Sequence, residues 1–143
     1  MTAMIENDAA PEPTVLVADD DPDILSLVAL RLKRAGYSVV TAVDGRKALD
    51  AVHEHRPEVA VVDMRMPEMD GLDVIKGIRA DERSKDMLVI ALSARVQEAN
   101  IAEGLAAGAD EYLEKPFKGQ QLLELIESRR PTAPSASPGS TQN

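Results

Sequence analysis

Four short apolar runs and a fifth, half-acidic strand-like stretch alternate with five stretches whose apolar residues recur at helical spacing, and this alternation constrains the chain more than any other feature. The runs span residues 14–18, 38–42, 58–62, 87–92 and 110–113. Apolar runs of this length bounded by turn signals read as strands buried on both faces. After the first run, Asp21 and Pro22 form an N-cap and a first-turn proline. Ile24, Leu25, Val28 and Leu32 then repeat at helical spacing, and Gly36 is a C-terminal stop. Asp44 caps a second helix with Ala48, Leu49 and Val52 on its inner face, and Pro57 ends it. A turn from Pro67 to Gly71 precedes a third helix marked by Leu72, Ile75 and Ile78. The fourth is expected over 96–107 with Ile101 and Leu105 inward, weakly anchored at Ala106-Ala107-Gly108. The fifth, over 121–129, carries Leu122, Leu125 and Ile126. Strands alternating with helices imply an α/β fold, a parallel sheet covered on both faces through right-handed crossovers. Run 38–42 is short and less apolar, which places it toward a sheet edge.

In such sheets ligands bind outside the C-terminal strand ends, where the strand order reverses. The residues with useful chemistry collect there. Run 58–62 leads into Asp63, run 14–18 into Asp19-Asp20-Asp21, run 87–92 into Ser93, and run 110–113 into Glu114-Lys115-Pro116-Phe117. An ionised carboxylate at the mouth of a buried strand is costly unless solvated, paired or bound to metal. Two like charges about 4 Å apart repel by about 4 kcal/mol at an effective dielectric near 20. A cluster of Asp19, Asp20 and Asp63 therefore favours a divalent cation, and oxygen donors without His or Cys fit Mg²⁺, or Mn²⁺, better than zinc. Lys115 offers a compact positive charge to Asp63 or to a phosphoryl oxygen, and Ser93 offers a hydroxyl. This set can accept a phosphoryl group on Asp63 as nucleophile, with the cation and Lys115 stabilising the transferring oxygens.

The chain has 143 residues, one domain's worth. Its 25 acidic and 16 basic residues give a net charge of −9, which argues against a nucleic-acid-binding surface. Cysteine is absent, so disulfides and thiolate metal sites are excluded, in keeping with the cytoplasm. Residues 1–10 lack the apolar core of a signal peptide, and no run approaches the roughly 18 apolar residues of a membrane span. A soluble intracellular domain is expected. With Tyr37, Tyr112 and Phe117 as the only aromatics, the core should be aliphatic. Residues 1–13 read as a disordered leader, 14–129 as the folded domain, and the Pro/Ser-rich 130–143 as a disordered tail or linker.

Four segments resemble one known family. Val17-Ala18-Asp19-Asp20-Asp21, Val62-Asp63-Met64-Arg65-Met66-Pro67-Glu68-Met69-Asp70-Gly71, Leu92-Ser93-Ala94 and Tyr112-Leu113-Glu114-Lys115-Pro116-Phe117 look like the receiver domain of bacterial two-component response regulators, of the stand-alone, chemotaxis-like type. The resemblance covers about Thr14 to Arg129 and implies a flavodoxin-like doubly wound (βα)5 fold with strand order 2-1-3-4-5. It implies that Asp63 is the phosphoacceptor, supplied by a sensor histidine kinase or histidine phosphotransfer protein. Asp19 and Asp20 would organise Mg²⁺, with Asp20, Asp63 and the main-chain carbonyl of Arg65 as direct ligands. Ser93 would be the switch hydroxyl, Lys115 the charge-stabilising lysine and Tyr112 the rotameric aromatic, with a cis Lys115–Pro116 bond. It further implies signalling by protein contact through the face of helix four, strand five and helix five, with no enzyme activity beyond the domain's own phosphorylation and dephosphorylation. Arg65 and Arg95, each two residues beyond a site residue, would border the pocket.

Other readings fit less well. Asp19, Asp21 and Asp23 alternate as in a calcium loop, but the sixth position is Ile24 and the twelfth Leu30. His53 and His55 are two apart on a helix and do not share a face. Residues 79–85 read as a solvated charged loop. A haloacid-dehalogenase-like phosphatase needs a second Asp where Arg65 stands, and a non-phosphorylated interaction module would not need the full acidic set.

Overall fold

The computed structural model describes residues 13–94 and 98–129. Its elements run β1 (Thr14–Ala18), α1 (Pro22–Arg34), β2 (Ser38–Ala42), α2 (Gly45–His55), β3 (Val59–Asp63), α3 (Gly71–Ala80), β4 (Leu88–Ser93), α4 (Glu98–Ala107), β5 (Glu111–Glu114) and α5 (Gly119–Arg129). The strands form one parallel sheet in the order β2-β1-β3-β4-β5, with β2 at an edge. This is the flavodoxin-like topology.

Successive residues of the central strands point to opposite faces, so each strand feeds two cores. Leu16, Ala60, Val62, Val89 and Ala91 pack with Ala48 and Val52 of α2 and Val74, Ile75 and Ile78 of α3. Val15, Val17, Val59, Val61, Ile90 and Leu92 pack with Leu25, Val28 and Leu32 of α1 and Leu122 and Ile126 of α5. A strand buried on both faces cannot alternate apolar with polar, which is why these runs are continuously aliphatic. Helices α1, α2 and α3 start at side-chain caps. Asp21 accepts from Asp23 N–H at 2.9 Å, Asp44 from Lys47 N–H at 2.8 Å and Asp70 from Asp73 N–H at 3.4 Å.

Four expectations are corrected. Leu105, placed on the inner face of α4, is 47% exposed, because the small residues of α4 leave no strong apolar stripe to orient it; its companion Ile101 has a side chain outside the described residues. The core is not wholly aliphatic, since Tyr37 is among its largest fully buried side chains. Helix α3 buries Val74 as well as Ile75 and Ile78, while Leu72 is only half-buried. Residues 79–85 are not simply a solvated loop. Ser84 is buried, with its hydroxyl donating to Ile78 O at 2.7 Å.

Arg79, in the last turn of α3, departs further from the charged-loop reading. Its guanidinium donates to Lys85 O at 2.7 Å, Met87 O at 2.6 Å, Gly108 O at 2.7 Å and Asp110 Oδ2 at 2.9 Å. The same Asp110 oxygen accepts from Val89 N–H at 2.9 Å, so one guanidinium ties α3 to the start of β4 and the end of α4. Gly108 sits at φ +121°, and a Cβ there would lie 2.6 Å from Arg79 Cγ. Arg79→Ala removes the guanidinium donor from the part-buried Met87 and Gly108 carbonyls and leaves the Asp110 carboxylate with Val89 N–H but without its cation, and is expected to lower the unfolding free energy by about 3 kcal/mol. A shifted urea midpoint with an unchanged slope checks this; a midpoint equal to wild type refutes it.

Candidate functional site

Parallel pairing brings the carboxylates together. Val62 pairs with Ala18 and Asp63 with Leu92, so Asp19 emerges beside Asp63 at the C-terminal edge of the sheet. Asp19 is fully buried and Asp63 is 5% exposed. Asp20 is on the surface. One ligand oxygen from each of Asp19, Asp20 and Asp63 falls within 4.8 Å of the others.

Lys115 enters from the end of β5. Its Nζ lies 2.8 Å from Asp19 Oδ2 and 3.0 Å from Asp63 Oδ2, bridging the two buried carboxylates. Its backbone N–H donates to Ser93 O at 2.7 Å, which couples the ends of β4 and β5, and the Lys115–Pro116 bond is cis. The second oxygens are also held. Asp19 Oδ1 accepts from Asp21 N–H at 2.9 Å, and Asp63 Oδ1 from Arg65 N–H at 3.3 Å.

Burial pushes the Asp63 carboxyl above its ordinary range; the Lys115 hydrogen bond opposes this, the Asp19 charge reinforces it, and the net shift is upward. Burial alone would lower the Lys115 ammonium, but bonds and charges from Asp19 and Asp63 outweigh it and hold Lys115 above its ordinary value. Lys115 thus stays protonated while the carboxylates remain under-compensated. Three carboxylates against one ammonium leave a formal charge of −3 + 1 = −2. All-oxygen donors and that residual charge fit a hard divalent cation.

The site opens into a cavity of about 860 Å³ lined by Asp20, Asp63, Arg65, Ser93, Tyr112 and Lys115. Sequence reasoning named all six but missed other lining residues, among them Asp70, Leu72 and Glu103. Glu103 is an ordinary polar helix position in sequence, and only the packing of α4 brings it to the cavity. Tyr112 is half-buried, its ring against α4, where a Cβ at Gly104 would lie 3.1 Å from Tyr112 Cε2. Its hydroxyl is buried without a hydrogen-bond partner among the described residues. Arg65 is exposed, and Arg95 lies outside the described residues. His53 and His55 are exposed and remote from this cavity's lining; His53 Nε2 is 3.3 Å from an Asp81 oxygen. A second, mostly apolar depression of about 810 Å³ lies between α1 and residues 115–120, sharing Ala94 and Lys115 with the first among the described residues.

A family model described as "Response regulator receiver domain" matches residues 15–127. The chain belongs to that family. Among curated proteins it is 43% identical over 129 residues to the transcriptional regulatory protein PrrA of Mycobacterium bovis, covering 87% of this chain and 54% of that protein. It is 39% identical over 114 residues to the DNA-binding dual master transcriptional regulator RpaA of Synechocystis, covering 80% and 47%. The chain thus spans about half the length of these relatives. Among solved structures, chemotaxis protein CheY4 of Vibrio cholerae superposes with a TM-score of 0.78 at 34% identity, covering 82% of this chain and 98% of that one. The receiver domain of a Pseudomonas aeruginosa sensor histidine kinase, described with a magnesium ion coordinated in its active-site cleft, gives a TM-score of 0.76 at 29% identity, covering 82% and 96%. This receiver domain is therefore a signalling module of two-component systems, and its acidic cluster fits a phosphorylation site. No helix among the described residues is long and apolar enough to cross a membrane.

Proposed function

We propose that this receiver domain takes a phosphoryl group from a phosphohistidine onto Asp63, depends on Mg²⁺ to do so, and passes the signal on by protein contact. The donor would be a sensor histidine kinase or a histidine phosphotransfer protein, in the cytoplasm. The observation that carries the reading is the convergence of Asp19, Asp20 and Asp63 with Lys115 bridging two of them. An Asp63 carboxylate oxygen attacks phosphorus, the new O–P bond forms as the P–N bond to the donor imidazole breaks, and that imidazole leaves with a proton from solvent. Lys115 Nζ, 3.0 Å from Asp63 Oδ2, is positioned to stabilise charge on the transferring oxygens. Asp19, Asp20, Asp63 and the Arg65 carbonyl would hold Mg²⁺, whose chemistry there is neutralisation of carboxylate and phosphoryl charge.

Phosphorylation replaces a charge of −1 with one near −2 and adds strong acceptor oxygens. Ser93, at the end of β4 and on the same cavity, would donate to one of them. The buried hydroxyl of Tyr112, without a hydrogen-bond partner among the described residues, supports a second stable position for that ring, with the α4–β5–α5 face as the output surface. Residues 14–129 would be the receiver unit, with 1–13 and 130–143 as flanks.

Incubation with acetyl phosphate and Mg²⁺ is expected to add one phosphoryl mass to the intact protein, and chelation of Mg²⁺ to prevent it. A beryllofluoride mimic should move amide resonances of Ser93 and Tyr112. Absence of any adduct under these conditions overturns the reading.

A further inference from the structure

The turn that follows Asp63 is held from outside by the first residue of α2. Gly45 is buried, and its N–H donates to Pro67 O at 3.3 Å. A Cβ placed at Gly45 would fall on the carbonyl oxygen of Met69, 2.6 Å from its carbonyl carbon and 2.8 Å from its Cβ. The carbonyl atoms belong to the backbone, so no rotamer change relieves that overlap. One of the two backbones must move.

The helix is the stiffer partner. Asp44 caps it, and Ala48, Ala51 and Val52 anchor it in the core. The turn is more exposed at Pro67, Glu68 and Asp70, with Glu68 in the left-handed region at φ +68°. Its far end is fastened close to the site: Gly71 N–H donates to Met64 O at 3.1 Å, and a Cβ at Gly71 would lie 2.7 Å from Met64 Cα. A displacement at Met69 is therefore passed back along a short, doubly pinned segment to Arg65 and Asp63, whose 3.3 Å contact fixes the carboxylate.

We infer that Gly45 is a positioning residue for the Asp63–Arg65 segment. It touches no reacting atom, and its missing side chain sets where the acidic site's edge lies. The inference rests on the proposed role of Asp63 and the Arg65 carbonyl in holding Mg²⁺. It does not require that a phosphoryl group be transferred.

The test is Gly45→Ala, with Gly77→Ala as control. The nearest atoms to a Cβ at Gly77 belong to the movable Leu49 side chain, with Cδ2 at 2.9 Å. Mg²⁺ alone, titrated against both variants, is expected to bind Gly45→Ala about tenfold more weakly and Gly77→Ala as wild type. In the metal-free state Gly45→Ala should shift the Asp63 and Arg65 amides while its thermal unfolding stays cooperative. In the wild type, Mg²⁺ should move the Gly45 amide and leave that of Gly36, at the other end of the sheet, in place. This last measurement decides the matter if Gly45→Ala does not fold. Wild-type Mg²⁺ affinity in a folded Gly45→Ala, unmoved Asp63 and Arg65 amides, or a Gly45 amide indifferent to Mg²⁺ would each overturn the inference. A wild type that binds Mg²⁺ but never gains a phosphoryl group sinks the proposed function and leaves this one standing.

Discussion

Asp63→Asn is expected to abolish phosphoryl uptake from acetyl phosphate and, in metal-free buffer at neutral pH, to unfold at a higher temperature than wild type. The two effects share one cause. Asparagine keeps the shape, so packing at the end of β3 is preserved, and its single carbonyl oxygen can still accept from Lys115 Nζ while the longer 3.3 Å bond from Arg65 N–H is given up. It removes an ionised carboxylate that is almost completely buried beside Asp19, and Lys115 keeps Asp19 as its partner. Replacing an imperfectly compensated buried charge is often stabilising, here by about 1 kcal/mol. The pH dependence follows from the upward shift of Asp63. A carboxyl whose folded value lies above its unfolded value of about 3.9 favours the folded state only when protonated. The advantage of Asp63→Asn should therefore be absent below about pH 4, grow as pH rises toward the folded value of Asp63, and be complete above it. Mg²⁺ should reverse the ranking, because a ligand that binds the folded state stabilises the protein that binds it better. A variant less stable than wild type at neutral pH without metal would overturn the electrostatic account, and an adduct on the variant would remove Asp63 as acceptor.

Lys115→Ala should act in the opposite direction on stability. Its ammonium is the cation seated between fully buried Asp19 and nearly buried Asp63. Without it, two like charges face each other in a site where Asp19 retains one backbone donor, Asp21 N–H. Breaking such a pair by removing one partner costs about 3 kcal/mol, most of it from the uncompensated charges left behind. Chemical denaturation in chelator should register that loss, and saturating Mg²⁺ should recover part of it by supplying the missing positive charge. The neighbouring Lys118→Ala, at an exposed position, serves as the control and should stay within about 0.5 kcal/mol of wild type. If Lys115→Ala is as stable as Lys118→Ala in chelator, the bridging contact contributes nothing and the charge balance drawn above is wrong.

How much of this was legible beforehand depends on how local each signal is. Val59 to Val62 announced a doubly buried strand because such a strand must be aliphatic at every position, and Asp63 stood out as the break in that run. Asp21, Asp44 and Asp70 could be read as caps or turn residues, since a cap bonds its own helix two or three residues on. The C-terminal strand ends therefore located Asp19, Asp20, Asp63, Ser93 and Lys115 without coordinates, and the family resemblance supplied the strand order. The weakest prediction fell on α4. Its alanines and glycines carry little amphipathic contrast, so helical spacing points Leu105 inward although it is 47% exposed.

By itself the sequence determined the alternating architecture, the two-sided sheet and the residues that crowd one edge of it, because all of these follow from periodicity and from the direction in which a parallel strand ends. Only the tertiary structure decided that Lys115 bridges Asp19 and Asp63, that Arg79 joins α3 to β4 and the end of α4, and that Gly45 abuts the turn after Asp63. Apart from the short link from Arg79 to Met87, each is an encounter between residues separated by at least one intervening element. No local pattern encodes such a contact, because it exists only once both hydrophobic layers have closed and set the distance between their backbones.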